Sequence, residues 1–359
     1  MLNRKLAIVT VGLVGVAVTG LEVASARLLA PFFGSTIFVY GSAIGIALLA
    51  LALGYSFGGR LADRHPSRTW LSAIVAIAGL TAAAIPLIFR PVAETIDRVG
   101  AGLNLPSGLL VVVAMAVLFI IPIMALGAVS PFVLRLSLRS IEETGQWSGL
   151  LSGLATGGSI FGTFLATFVT IPLLGTRETI LGSAGVLVIL GAALGPWAWR
   201  YRVLPCVLVA WLAVLGLSGP FLRRPGLIWE RESPYELVQV LEQRGTRFLI
   251  ADAGDGAQSV YRPGTPYTGT IYDIFALLPY LAAGDGQRRS VLVVGLAGGS
   301  MVRLYRETLE QTFDFDVTGV EIDREIVAAG QRYFGLDELG VEIIIDDARR
   351  YLKTTDEKF

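Results

Sequence analysis

Seven apolar segments, at approximately 6–28, 37–59, 70–89, 107–130, 147–170, 179–198 and 203–222, constrain this chain more than any other feature. Crossing a bilayer takes about 20 helical residues, and each segment is long enough for that. Backbone polar groups in lipid have to be satisfied within the chain, so the expected fold for residues 1–222 is a multi-span α-helical membrane bundle of about seven helices. Gly, Ala, Ser and Thr run through the segments, as in GSAIGIALLALALGYSFGG and GLLSGLATGGSIFGTF, and such small residues let helices pack closely. The first apolar run leads into further spans rather than to a small-residue cleavage site, so no cleavable signal is expected.

Charge divides the 359 residues the same way. The overall charge is zero, but residues 1–222 carry a net +6 and residues 223–359 a net −6. A net-acidic second half argues against a nucleic-acid partner and suits a small cationic amine. Cys206, the single cysteine, lies in an apolar run, and His65, the single histidine, in a charged loop. A disulfide framework, a thiolate metal site and a His-centred triad are therefore not expected, and no metal is assigned.

Positive charge also bears on orientation. With a cytoplasmic N-terminus, the inside segments hold Arg4, Lys5, Arg60, Arg64, Arg68, Arg135, Arg139, Arg200 and Arg202. The outside segments hold Arg90, Arg98, Arg177, Arg223 and Arg224, and the inside excess favours N-inside. Seven spans would then place the second half outside the cytoplasm, and the side of the membrane stays open. Glu22 and Arg27 are charged residues within the first span. Five residues apart, they point about 140° from one another, so they are poor partners within one helix. A polar contact with a neighbouring helix for Glu22 and snorkelling for Arg27 is one reading; a polar site for a cation in the bundle is the other. The loop Gly59-Arg60-Leu61-Ala62-Asp63-Arg64 resembles a motif of major facilitator transporters, in which Asp and Arg residues latch helix ends.

The second half contains a chemically suggestive pattern. VLVVGLAGGS at 291–300 reads as a strand, a glycine-rich turn and the start of a helix. A second strand, VTGVEID, carries Glu321, 26 residues after Gly295, and IIIDDA follows. This is the layout of a Rossmann-type nucleoside site: small residues let backbone approach the ligand, and an acid at the tip of the second strand takes ribose hydroxyls. Residues 223–289 read as a β-hairpin layer, with strands at Tyr235–Val240, Arg247–Ala251 and Ala257–Tyr261, a turn at Gly254-Asp255-Gly256, and a helix at Ile271–Ala283. The expected organisation is thus a bundle at 1–222, a β-rich part at 223–289 and an incomplete α/β Rossmann-like, methyltransferase-type part at 290–359.

Ser233-Pro234-Tyr235, Gln258-Ser259-Val260-Tyr261, Thr268-Gly269-Thr270-Ile271-Tyr272-Asp273, VLVVGLAGGS, VEID and DDAR occur in the order seen in spermidine synthase-like aminopropyltransferases. The first half resembles the membrane segment fused to some members, through Glu22, Arg27, Pro31, Gly34, Ser35, GGRLADR and GAVSP at 127–131. The resemblance implies transfer of an aminopropyl group from decarboxylated S-adenosylmethionine, as co-substrate, to a polyamine or related amine in a multi-pass protein of the cell membrane. Gly295, Gly298 and Glu321 would hold the nucleoside. Asp347 would contact adenine, although a helix N-cap is an equal role for it. Tyr235, Gln258, Tyr272 and Asp273 are the substrate-binding candidates. This chain departs from the family where Gly298 replaces an Asp of the loop, Glu236 follows Tyr235 in place of Gln, and Asp273-Ile274 follow Tyr272 in place of His-Glu. Cradling an ammonium group is one reading of Glu236, Asp255 and Asp273; ordinary solvated loop acids are the other. The proton-accepting Asp of the family is expected beyond Phe359, in a strand that follows, so the chain reads as cut short. A methyltransferase using S-adenosylmethionine on the same scaffold, and a membrane transporter or sensor of polyamines, are the alternatives. A homo-oligomer is left open.

Overall fold

The computed structural model describes residues 2–195, 199–217, 219–252, 256–281 and 288–359, with the backbone alone for 199–203. The expected turn at Gly254-Asp255 and the end of the helix expected at Ile271–Ala283 lie outside the described residues. The chain divides into two compact units, Met1–Gly219 and Pro220–Phe359.

Among the described residues of the first unit, six helices are long and apolar enough to cross a membrane. They are α1 (Arg4–Phe33), α2 (Ile37–Arg64), α3 (Arg68–Gly102), α4 (Ser107–Ser137), a long helix over Thr144–Leu174, and α7 (Thr176–Leu194). The long helix is α-helical over α5 (Thr144–Leu165), becomes a π-helix over Ala166–Thr170, and ends as α6 (Ile171–Leu174). About seven were expected; six are found among the described residues. The seventh expected segment, 203–222, coincides with α8 (Trp199–Gly216), of which Leu204–Gly216 is apolar among the described residues. Helix α8 ends at Gly216, and Gly219 beyond it has a positive φ.

The helices meet where side chains are absent. A Cβ on Gly54 or Gly58 of α2 would collide with Met124 or Ala128 of α4, and one on Gly127 would stand 2.8 Å from the Leu51 carbonyl oxygen. Helices α1 and α5 are joined the same way, through Gly15 against Ala155, Gly158 against Gly12 and Gly162 against Val16. Helix α3 meets α7 at Gly79 and Gly191, and the Ser72 hydroxyl donates to the Gly191 carbonyl at 2.6 Å. Lipid tails are as apolar as Leu, so packing of this kind rather than hydrophobic burial holds membrane helices together. At one end of the α2–α4 pair, Asp63 of the GGRLADR stretch forms an ion pair with Arg135 at 3.6 Å. Both side chains are exposed, so the pair adds little stability.

The second unit opens with an antiparallel sheet in the order β1-β2-β3-β4: β1 (Leu227–Glu232), β2 (Leu237–Gln243), β3 (Thr246–Ala251) and β4 (Ser259–Tyr261). Strand β1 lies outside the strands expected from sequence. The β2–β3 hairpin turns on Arg244-Gly245, both with positive φ, the pairing that a two-residue turn needs. Residues Ile271–Leu277 form a 3₁₀ turn running into α9 (Leu278–Leu281), in place of the single helix expected there.

Three parallel strands follow in the order β5-β6-β7: β5 (Arg288–Val294), β6 (Asp314–Glu321) and β7 (Glu342–Ile345). Helix α10 (Ser300–Leu309) connects the first two, α11 (Arg324–Phe334) with a 3₁₀ turn connects the next, and α12 (Ala348–Thr354) follows β7. Val293, Leu296, Val302, Tyr305, Phe315 and Val317 form the main core of this part. Val238, Val240 and Leu249 of the antiparallel sheet pack on Ile326, Ala329 and Phe334 of α11, which holds β4 beside the glycine-rich loop.

The helix contacts make a direct prediction. Gly58→Leu forces α2 off α4 and is expected to cost about 1–3 kcal/mol or more. Gly41→Leu, on the same helix but with open space around its would-be Cβ, is expected to be tolerated. Thermal unfolding in detergent distinguishes the two, and equal shifts would refute the contact assignment.

Candidate nucleoside site

The loop between β5 and α10, Gly295-Leu296-Ala297-Gly298-Gly299, is shaped by three positive φ angles: 77° at Gly295, 50° at Ala297 and 81° at Gly299. Ala297 is the only one of the three with a side chain, and αL backbone at such a residue costs on the order of 1 kcal/mol. It is held there by Glu321. The Glu321 carboxylate, at the end of β6 and only 6% exposed, accepts from the Ala297 N–H at 3.0 Å through Oε2 and from the Ile322 and Asp323 N–H groups at 2.9 and 3.2 Å through Oε1. Each carboxylate oxygen has two acceptor directions, so Oε1 is filled by its two N–H donors and one direction remains on Oε2 for a further donor.

Gly298 does a different job. Its N–H donates to Ser259 Oγ at 2.8 Å, and a Cβ there would stand 2.9 Å from the Ser259 Cβ and 3.1 Å from the Phe334 ring. The residue is glycine so that the loop can lie against β4. Ser300 completes the junction: its hydroxyl donates to the Val260 carbonyl and accepts from the Val260 N–H, both at 2.9 Å. Gly295, by contrast, has nothing within 4 Å of its would-be Cβ and borders a cleft of about 330 Å³. Gln258, Ser259, Tyr272, Phe275 and Leu292–Ala297 line the cleft with Met301. The Tyr272 hydroxyl donates to the Ala257 carbonyl at 3.0 Å, and burial raises its pKa above the ordinary phenol value.

The structure thus brings Gln258, Tyr272 and Gly295 to one cleft, with Glu321 bonded to the loop that forms its wall. Other expected residues are used elsewhere. Asp273 accepts from the Thr268 N–H and hydroxyl, both at 2.7 Å, and from the Gly269 N–H at 2.8 Å. Burial opposes its ionisation, but those bonds and the Arg262 charge outweigh it and hold the carboxyl below its ordinary range. Tyr235 is exposed at the turn made by Ser233, whose hydroxyl accepts from the Tyr235 N–H at 3.1 Å. Asp347 is exposed and caps α12, accepting from the Arg349 and Arg350 N–H groups at 2.9 and 3.0 Å. Asp255 lies outside the described residues. Glu22 and Arg27 are half-buried on α1, in the other unit.

Glu236 sits among acids that sequence spacing does not reveal as neighbours. Its Oε1 accepts from Gln258 at 3.3 Å. Burial pushes its pKa above the ordinary 4.5, opposed by the Gln258 bond and reinforced by the charges of Asp252, Asp323 and Glu321. Asp252 and Asp323 were not anticipated. Both serve backbone, Asp252 by accepting from the Leu237 N–H and Asp323 by capping α11, and an N-cap Asp just before REIVAAG was the available signal for the second. Among the described residues, no three His, Cys, Asp or Glu side chains converge in a way that would hold a metal ion. The arrangement can accept hydroxyl and amino hydrogens from a nucleoside and offers negative potential to a cation.

Ionised Glu236 opposes folding above its raised pKa, and this penalty is lost as pH falls through the ordinary carboxylate value. Glu236→Gln is expected to raise the thermal midpoint at about pH 7.5 and to leave it unchanged near pH 4. A midpoint lowered at the higher pH would show that the carboxylate stabilises the fold instead.

No family model matches the chain. Over 153 residues, 43% of its length, it is 28% identical to a probable polyamine aminopropyl transferase of Bifidobacterium longum (strain NCC 2705). It spans about a third of the length of that curated relative, 33%.

Proposed function

We propose that residues 290–359 form a Rossmann-like nucleoside-binding part and residues 223–289 the β-rich N-terminal part of the same domain, together the binding portion of a spermidine synthase-like aminopropyltransferase attached to a multi-pass bundle in the cell membrane. In that reaction an amine nitrogen attacks the aminopropyl methylene next to the sulfonium of decarboxylated S-adenosylmethionine, the carbon–sulfur bond breaks, and the neutral thioether leaves. Glu321 takes the ribose hydroxyls in charge-assisted bonds. Gly295 leaves room for the nucleoside at the loop, and Gln258 and Tyr272 border the cleft into which the amine-bearing end projects. Asp347 accepts from the adenine amino group with the lone pairs that its capping bonds leave free. Asp273 and Tyr235 act indirectly, by shaping the loops that carry Tyr272 and Glu236. The family's proton-accepting Asp has no counterpart assigned among these residues.

The observation that carries this reading is the group of acids around Glu236. A sulfonium with a primary ammonium on its side chain is a dication that such a cluster favours. The α-carboxylate of S-adenosylmethionine would meet Glu236, Asp252 and Asp323 as like charges. The donor for aminopropyl transfer is therefore preferred over the donor for methyl transfer. The similarity to a probable polyamine aminopropyl transferase supports the same choice.

Titration of the detergent-solubilised full chain tests this. Decarboxylated S-adenosylmethionine is expected to bind roughly tenfold or more tightly than the carboxylated form, about 1.4 kcal/mol per factor of ten. Glu321→Ala is expected to weaken it by at least a similar factor. Preference for the carboxylated form would favour a methyltransferase instead. Unchanged affinity in Glu321→Ala would remove the nucleoside-site assignment, and amine flux that survives Glu321→Ala but not Glu22→Ala would favour transport.

A further inference from the structure

The helical unit contains a cavity of about 230 Å³ between α1, the π-helical segment and α7. It is larger than the roughly 150 Å³ that encloses a benzene ring. Its origin is local. Over Ala166–Thr170 the chain takes π geometry, a form found mostly as bulges inside α-helices and frequently at functional sites. On the facing helix Gly182 has no side chain, and a Cβ there would meet nothing within 4 Å. The body of the cavity is apolar, with Leu13, Val16, Leu165 and Val186 in its wall.

One end is different. Thr170, Thr179 and Glu178 line it, in the first turn of α7 and the last π residues. The Thr179 hydroxyl is 2.8 Å from the Gly175 carbonyl oxygen and 3.0 Å from the Thr170 hydroxyl, so both hydroxyls are occupied locally. Glu178 is half-buried and, among the described residues, has no hydrogen-bond or ion-pair partner. Its neighbour Arg177 does not neutralise it, because that guanidinium donates to the carbonyls of Gly216 and Gly219 at 3.4 and 3.3 Å. Glu178 stands in the first turn of its helix, and a carboxylate there with no countercharge among the described residues is open to a cationic partner.

We propose that this cavity binds an amphiphilic monoammonium ion, with its aliphatic chain between α1 and α7 and its ammonium on Glu178. The charge of the site selects the class. There is one carboxylate for one cation, and the walls deeper in are Leu and Val, so a second ammonium on the same chain would be left among apolar side chains. A neutral amphiphile would fill the space but leave Glu178 unpaired. The proposal is independent of the nucleoside site, which lies in the other unit.

The test is thermal-shift titration of the detergent-solubilised full chain with n-octylamine, 1,8-diaminooctane and n-octanol. In the wild type, n-octylamine is expected to bind roughly tenfold more tightly than either of the others, as expected for one charge-assisted bond. Glu178→Gln keeps the shape and is expected to bring n-octylamine down to the n-octanol level. Gly182→Leu, which places a side chain in open space, is expected to abolish binding of all three without lowering the midpoint of the ligand-free protein. If n-octanol binds as tightly as n-octylamine, the cavity lodges an acyl chain and the proposal fails. It also fails if Glu178→Gln binds n-octylamine like the wild type, or if Gly182→Leu leaves binding intact.

Discussion

Both units depend on backbone reaching backbone or ring where no Cβ intervenes. In the bundle, α1 meets α5, α2 meets α4 and α3 meets α7 at glycines whose side-chain positions are already occupied by the neighbouring helix. In the second unit, Gly298 lets the loop after β5 rest on Ser259 and Phe334. The contacts look alike, but the forces behind them differ. Between the helices they allow dispersion contacts that lipid cannot better; at the loop they bring an N–H to a hydroxyl and fix the turn that faces the cleft.

That turn is then held electrostatically. Glu321 joins the end of β6 to the αL backbone of Ala297, so a charge suited to a ligand also serves as a structural brace. Around it, Glu236, Asp252 and Asp323 concentrate negative charge in a partly desolvated space, at a cost visible in the raised pKa of Glu236. Sites that hold cations commonly carry such a cost, because like charges gathered without their ligand repel one another.

The broad plan was legible in the sequence because it rests on composition and period. Apolar length marked the helices, and an apolar strand running into glycines and on to Glu321 marked the parallel strands. What was not legible depended on neighbours distant in sequence or on one-residue events. Strand β1 mixes Trp, Glu and Arg and pairs across a bulge, so it shows no alternation. The π-helix at Ala166–Thr170 has no compositional mark. Asp273 and Gln258 look alike as candidates, yet one is consumed by the Thr268 turn and the other faces the cleft. Asp252 approaches Glu236 only because the β2–β3 hairpin folds back on Arg244-Gly245.

Because both oxygens of Glu321 already accept backbone N–H groups, a hydroxyl arriving there joins an occupied acceptor rather than an empty one. Each new bond is made by sharing or by exchange, so the gain in hydrogen bonding is smaller than a count of contacts would suggest. The arriving donor also competes with the bond that keeps Ala297 in its strained conformation. On the proposed reading, occupancy and loop conformation are therefore thermodynamically linked, and a ligand that drew Glu321 toward itself would loosen the turn beside it.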